Sequence, residues 1–112
     1  MTKLAVAILL ALTMPASAED LNSANYYLPG CKGWLDREKK VPGPVEALKE
    51  GLCAGFIEGL TYIGTFCVPS GVTSGQVVAV VVKYIEARPE RMHEQFGKLA
   101  IEALRAAWPC KR

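Results

Sequence analysis

Apolar positions fall into one unbroken run near the start of the chain and, after it, into stripes with helical spacing. Residues 4–12 are continuously apolar, Lys3 precedes them and Ala16-Ser17-Ala18 follows. A positive start, an apolar centre and a small-residue cleavage site make a secretory signal peptide over residues 1–18, so the mature chain is expected to begin at Glu19. Even extended to Met14, the run falls short of the roughly 18–20 residues needed to span a bilayer.

Beyond a short polar leader, Ser23 or Asn25 can cap a helix running towards Arg37, and Pro29-Gly30 predicts a kink or a late start within it. The charged and Pro/Gly-rich stretch 36–43 reads as a solvated connector. A long helix is predicted over 44–66, with Pro44 in its first turn. Leu48, Leu52, Phe56 and Ile63 share one face there, with Gly51, Gly55 and Gly59 beside them. Glu46, Glu50 and Thr61 fall opposite and Lys49 lies on the flank. Each glycine costs a helix about 1 kcal/mol relative to alanine. A stripe of three is therefore expected to pack closely against another backbone.

Residues 68–72 form a turn, and Thr73 with Gln76 makes a capping-box signature for the next helix. The valine-rich stretch 77–85 carries strand propensity as well, but its cap and length favour helix. Pro89 is expected in the first turn of a fourth helix, whose stripe is Met92, Phe96, Leu99, Ala100, Ala103, Leu104 and Ala107, and Pro109 ends it. The expected fold is all-α: a small four-helix, disulfide-stapled domain over residues 19–112, arranged up-down-up-down.

Composition narrows what such a domain does. The whole chain has 112 residues and a formal net charge of +2. Loss of Lys3 with the signal peptide lowers the charge to about +1, which is no footprint for nucleic acid or an anionic membrane. Cys31, Cys53, Cys67 and Cys110 suit two disulfides in an oxidising compartment. No C-x-x-C pair is present for zinc or thiol redox chemistry and no C-x-x-C-H for haem, so neither metal nor cofactor is expected.

Helix geometry selects among the three possible connectivities. Cys53 near the middle and Cys67 at the end of one predicted helix would lie roughly 21 Å apart at 1.5 Å per residue. A disulfide needs alpha carbons within about 7 Å. With that pairing excluded, Cys31 and Cys53 stand symmetrically about Pro42 and should bond across a helical hairpin. Cys67 and Cys110, each past the end of a helix running the same way, should bond to each other.

Candidate chemistry is sparse. His93 is the single histidine, Glu58 is placed as a helix-flank carboxylate paired to a lysine, and neither has the partners of a catalytic site. Tyr26, Tyr27, Trp34, Tyr62, Tyr84 and Trp108 serve as core or as interface anchors. No enzyme activity is expected.

The segment from Gly51 through Cys53, Gly55, Phe56 and Glu58 to Gly59 carries a pattern that continues in Cys67-Val68-Pro69. Further on come Gln76, Val81-Val82-Lys83-Tyr84-Ile85, Arg88-Pro89-Glu90 and Trp108-Pro109-Cys110. Together these resemble the Rap/Tai family of type VI secretion amidase immunity proteins over nearly all of the mature chain. Pro29-Gly30 departs from the first helix expected of that family. The resemblance implies a periplasmic, all-helical and often homodimeric inhibitor of a secreted peptidoglycan amidase. The expected contact elements are exposed connectors on a rigid scaffold: Val68, Pro69, Ser70 and Gly71, and the turn bearing Arg88 and Arg91. The alternative is a small periplasmic stress protein or acid chaperone resembling the HdeA type, also helical and disulfide-bonded.

Overall fold

Among the described residues four helices follow one another: α1 (Ala24–Leu35), α2 (Pro44–Leu60), α3 (Ser74–Glu86) and α4 (Phe96–Ala107), with a 3-10 turn at Pro89–Arg91 between the last two. The structure is a computed structural model that describes residues 20–36, 38 and 40–111. The expected signal peptide, residues 1–18, lies outside the described residues.

Ser23 opens α1, its hydroxyl oxygen accepting the Tyr26 N–H at 3.3 Å. Pro29 sits inside this helix, and neither a late start nor an interruption occurs there. Gly30 accounts for the pair's place: a Cβ at this position would collide with the backbone carbonyl of Lys49, so the glycine lets α2 approach closely. The next residue, Cys31, is bonded to Cys53 of α2 with alpha carbons 5.2 Å apart. Tyr27 meets Phe56, and Gly33 faces Glu50, so α1 and α2 run antiparallel as a hairpin.

Helix α2 ends at Leu60, six residues before the expected limit. The N–H groups of Thr61, Tyr62 and Ile63 bond to carbonyls three residues back, and the Thr61 hydroxyl donates to the Glu58 carbonyl at 2.6 Å. Gly64, with φ of +78°, then turns the chain. The following segment is drawn alongside α4: Arg105 Nε donates to the Thr65 carbonyl at 3.3 Å, and the Cys67 N–H to the Trp108 carbonyl at 2.9 Å. Cys67 is bonded to Cys110. Both expected disulfides are present, although Cys67 reaches its partner through this non-helical stretch rather than from a helix end. Their loops of 22 and 43 residues correspond to about 3 and 4 kcal/mol in the chain-entropy account.

The core-facing side of α2 also differs from expectation. Its buried residues are Cys53, Ile57 and Leu60, whereas Leu48, Leu52, Phe56 and Ile63 are 61, 39, 39 and 60% exposed. A Cβ at Gly51, Gly55 or Gly59 would meet nothing within 4 Å, so no backbone among the described residues packs on that stripe.

The valine-rich stretch is helical. Thr73 and Gln76 complete the capping box, with the Gln76 N–H on Thr73 Oγ1 at 3.1 Å and the Thr73 N–H on Gln76 Oε1 at 2.8 Å. Val77, Val78, Val81, Val82 and Ile85 of α3 pack with Phe96, Leu99, Ala100, Ala103 and Leu104 of α4. Pro89 opens the 3-10 turn rather than α4, which begins at Phe96. The delay has a cause in hydrogen bonding. The first N–H groups of α1, Ala24 and Asn25, donate to the Glu94 and Met92 carbonyls at 2.9 Å each, and the Phe96 N–H donates to the Asn22 carbonyl at 2.8 Å. Donors that neither helix can satisfy internally are thereby satisfied by the other's leader. The starts of α1 and α4 consequently lie side by side, whereas strict up-down-up-down alternation would set them at opposite ends. Two antiparallel hairpins, α1–α2 and α3–α4, pack across a shared core.

Candidate functional site

Among the described residues the candidate groups His93 and Glu58 lie apart, with no shared hydrogen bond. All four cysteines are in disulfides, His93 is exposed and lies in the turn before α4, and no group of three or more His, Cys, Asp or Glu among the described residues is placed to hold a metal. Glu58 accepts from the Ser74 hydroxyl at 3.1 Å, not from a lysine, and so ties α2 to the start of α3. What the surface offers instead is shape, apolar area and placed charge.

The outer face of α2 carries exposed apolar side chains. Val45, Leu48, Leu52 and Phe56 form a ridge beside the open backbone at Gly51, Gly55 and Gly59, and exposed Tyr62 and Ile63 extend it. Phe56 anchors the ridge to the core through a ring cluster: its centroid lies 5.6 Å from those of Tyr27 and Phe96, which stack on each other at 4.5 Å. Contiguous exposed apolar area of this kind marks a place of association.

On the opposite hairpin, Arg91 is held by two carboxylates. Its Nε and Nη2 donate to Glu94 at 2.6 and 3.1 Å, and its Nη1 and Nη2 to Glu102 at 2.8 and 3.1 Å. Lys98 Nζ adds a bond to Glu94 at 3.0 Å, and the Tyr84 hydroxyl donates to Glu102 at 3.2 Å. Hydrogen bonds from Arg91, then from Lys98, lower the Glu94 carboxyl to about 2, and Arg91 likewise lowers Glu102. The two carboxylates in turn hold Arg91 protonated.

A family model for Rap1a immunity proteins matches residues 17–110. The chain belongs to this family. Among curated proteins none matches. Rap1a membership makes it an immunity protein, one whose partner is a secreted effector. No helix among the described residues is long and apolar enough to cross a membrane.

For a Rap1a protein the expected contact residues have distinct environments. Val68 is half-buried against the core, while Pro69, Ser70 and Gly71 are exposed; the Val72 N–H closes the turn on the Pro69 carbonyl at 3.3 Å, and Gly71 has φ of +89°. Arg88 stacks on Tyr84, its guanidinium carbon 3.7 Å from the ring centroid, and its Nη1 donates to the Tyr84 carbonyl at 3.0 Å. No hydrogen bond or ion pair joins the 68–71 turn to Arg88 or Arg91 among the described residues. Arg91 is engaged within the fold, which sets it apart from Arg88. Glu94, Lys98 and Glu102 escaped the sequence reading, yet with Arg91 they follow helical steps of three, four and four, a spacing that signals side-chain ion pairs. Among the aromatic candidates, Tyr27, Trp34, Tyr84 and Trp108 pack against the core and Tyr62 is exposed. Tyr26 faces Lys49, whose Nζ lies 5.4 Å from its ring centroid.

Proposed function

We propose that residues 19–112 are released into the periplasm by cleavage of the signal peptide at residues 1–18, and that this domain binds and inhibits a peptidoglycan amidase delivered by type VI secretion. The observation that carries this reading is the Rap1a family match over residues 17–110. Two disulfides in so small a domain support an oxidising compartment. The protein acts by occupying the amidase, not by chemistry of its own. A scaffold stapled in each half loses little conformational freedom on binding.

In this reading Pro69, Ser70, Gly71 and Arg88 contact the amidase directly, with Val68 seating the first turn and Arg91 holding the second in shape. The protein works as a homodimer, its two copies meeting through the outer face of α2. The ridge of Leu48, Leu52 and Phe56 on one copy fits the glycine channel of its two-fold mate, as an isologous contact requires. No cofactor takes part.

Co-purification of the mature protein with type VI amidases carried by the same genome tests the assignment. Retention of one amidase in a stable complex, with no hydrolysis of peptidoglycan by the immunity protein itself, is the expected result. Failure to retain any of them, together with acid-induced dissociation of the dimer and binding of unfolded clients, would replace the reading with the acid-chaperone alternative.

A further inference from the structure

Where the C-terminal half of α3 crosses α4, small side chains leave a trough in the surface. Val80, Ala87, Ala103, Ala106 and Ala107 line an apolar groove of about 360 Å³, and Lys83 and Arg88 stand at its edge with Tyr84. Ala103, Ala106 and Ala107 on one side and Val80 with Ala87 on the other make the depression by leaving out bulk. They leave room for one large aliphatic side chain from outside.

The two cations at the rim differ from their neighbours. Lys32 is paired with Glu86, Arg91 with Glu94 and Glu102, and Lys98 with Glu94. Neither Lys83 nor Arg88 has a carboxylate within ion-pair distance among the described residues. The guanidinium of Arg88 is also fixed before any partner arrives, by the Tyr84 ring beneath it and the Tyr84 carbonyl on one nitrogen. Tyr84 is itself steadied through its hydroxyl bond to Glu102. The carboxylates of Glu86 and Glu102 are occupied by Lys32 and Arg91, and among the described residues no carboxylate lines the groove, whose two charged lining residues are both cations. A planar guanidinium held in place presents its remaining N–H groups as a ready fork for a carboxylate.

We propose that this groove is the docking slot for an effector segment in which a carboxylate sits next to a large aliphatic side chain. The aliphatic group fills the alanine-floored trough while the carboxylate bridges Arg88 and Lys83. This rests on the proposed immunity reading and adds to it the chemistry that the partner must present. It leaves the α2 face to the second copy, so both contacts can form at once.

The groove can be tested without the effector. The probe is a capped pentapeptide alternating glutamate and leucine, titrated into isotopically labelled, disulfide-bonded mature protein and followed by backbone amide shifts. Saturable shifts are expected at Val80, Ala87, Arg88, Ala106 and Ala107. The matching lysine–leucine peptide should bind at least about tenfold more weakly, a difference of ~1.4 kcal/mol. Arg88→Gln should reduce binding by a similar factor and Arg88→Lys by less. Ala106→Glu, a change at an exposed helix position, should abolish it by placing an internal anion in the slot. Absence of saturable shifts up to millimolar peptide, shifts centred elsewhere, or equal binding of the lysine peptide would overturn the proposal. Because the peptide reads the groove alone, a responsive groove with no amidase bound refutes the effector assignment. An unresponsive groove with the amidase still bound refutes the slot.

Discussion

Gly30 and Gly55 are the same residue type in two opposite situations. At Gly30 an added methyl group would strike the Lys49 carbonyl across the tightest part of the α1–α2 hairpin, whereas at Gly55 it would enter open space. Gly30→Ala is therefore expected to destabilise the domain by about 2 kcal/mol, since backbone must shift to admit it. Gly55→Ala should stabilise the dilute monomer by up to about 1 kcal/mol through helix propensity alone, while weakening self-association. Chemical denaturation and sedimentation of the two variants check both signs. Glycine spacing predicts the close backbone contact at Gly51, Gly55 and Gly59, where no other described backbone lies. Glycine spacing reveals that a helix has a bare stripe, but not whether the backbone that meets it belongs to the same chain. The single Gly30 beside Pro29 looked like a breaker because a local signal carries no trace of a neighbour's carbonyl.

The Arg91 cluster gives the fold a dependence on pH whose sign is fixed by its carboxylates. Glu94 is lowered from an ordinary value of 4.5 to about 2 and Glu102 is lowered too, both by Arg91 first. A carboxyl whose pKa is lower in the folded state adds stability above its unfolded value and loses it as it protonates. The contribution is full above about pH 4.5 and falls away towards pH 2. Thermal unfolding midpoints should therefore drop across that window in the native protein. Arg91→Gln should be less stable at pH 7 and show a shallower drop on acidification. Parallel pH profiles for the two would contradict this account of the cluster.

Among the elements, α3 was the most legible and α2 the least. A valine run is ambiguous by propensity, yet Thr73 and Gln76 decide it, because a reciprocal cap satisfies donors that only a helix start leaves open. Thr73→Ala should cost about 1 kcal/mol, read as a lower denaturation midpoint with an unchanged slope; an unaltered midpoint would show that the cap is dispensable. For α2, apolar periodicity correctly described a stripe at 48, 52 and 56, but the core took the neighbouring arc through Cys53 and Ile57. The disulfide at Cys53 and the fit around Gly30 set that rotation, and both depend on contacts distant in sequence. The start of α4 was misplaced for a related reason. Pro89 is a sound helix opener locally, but Met92 and Glu94 spend their carbonyls on the first turn of α1.

For the whole molecule, the two cysteine pairs were readable from spacing, and the family resemblance from the scattered glycines, prolines and cysteines. The relative setting of the two hairpins was not, since nothing local encodes that Asn22 and Phe96 share a hydrogen bond. As a Rap1a immunity protein the chain joins a ridge on α2 to a cation-rimmed groove between α3 and α4 through one core stapled twice. That arrangement suits the proposed dimer, which would present two equivalent docking surfaces outward. The central claim, inhibition of an amidase by direct occupation, is tested most directly by titrating the mature protein into a fixed amount of the co-purifying amidase and measuring release of cleaved peptidoglycan peptides. Activity should fall linearly and reach zero at one immunity protomer per amidase. Undiminished cleavage at a large excess of the immunity protein would contradict the account.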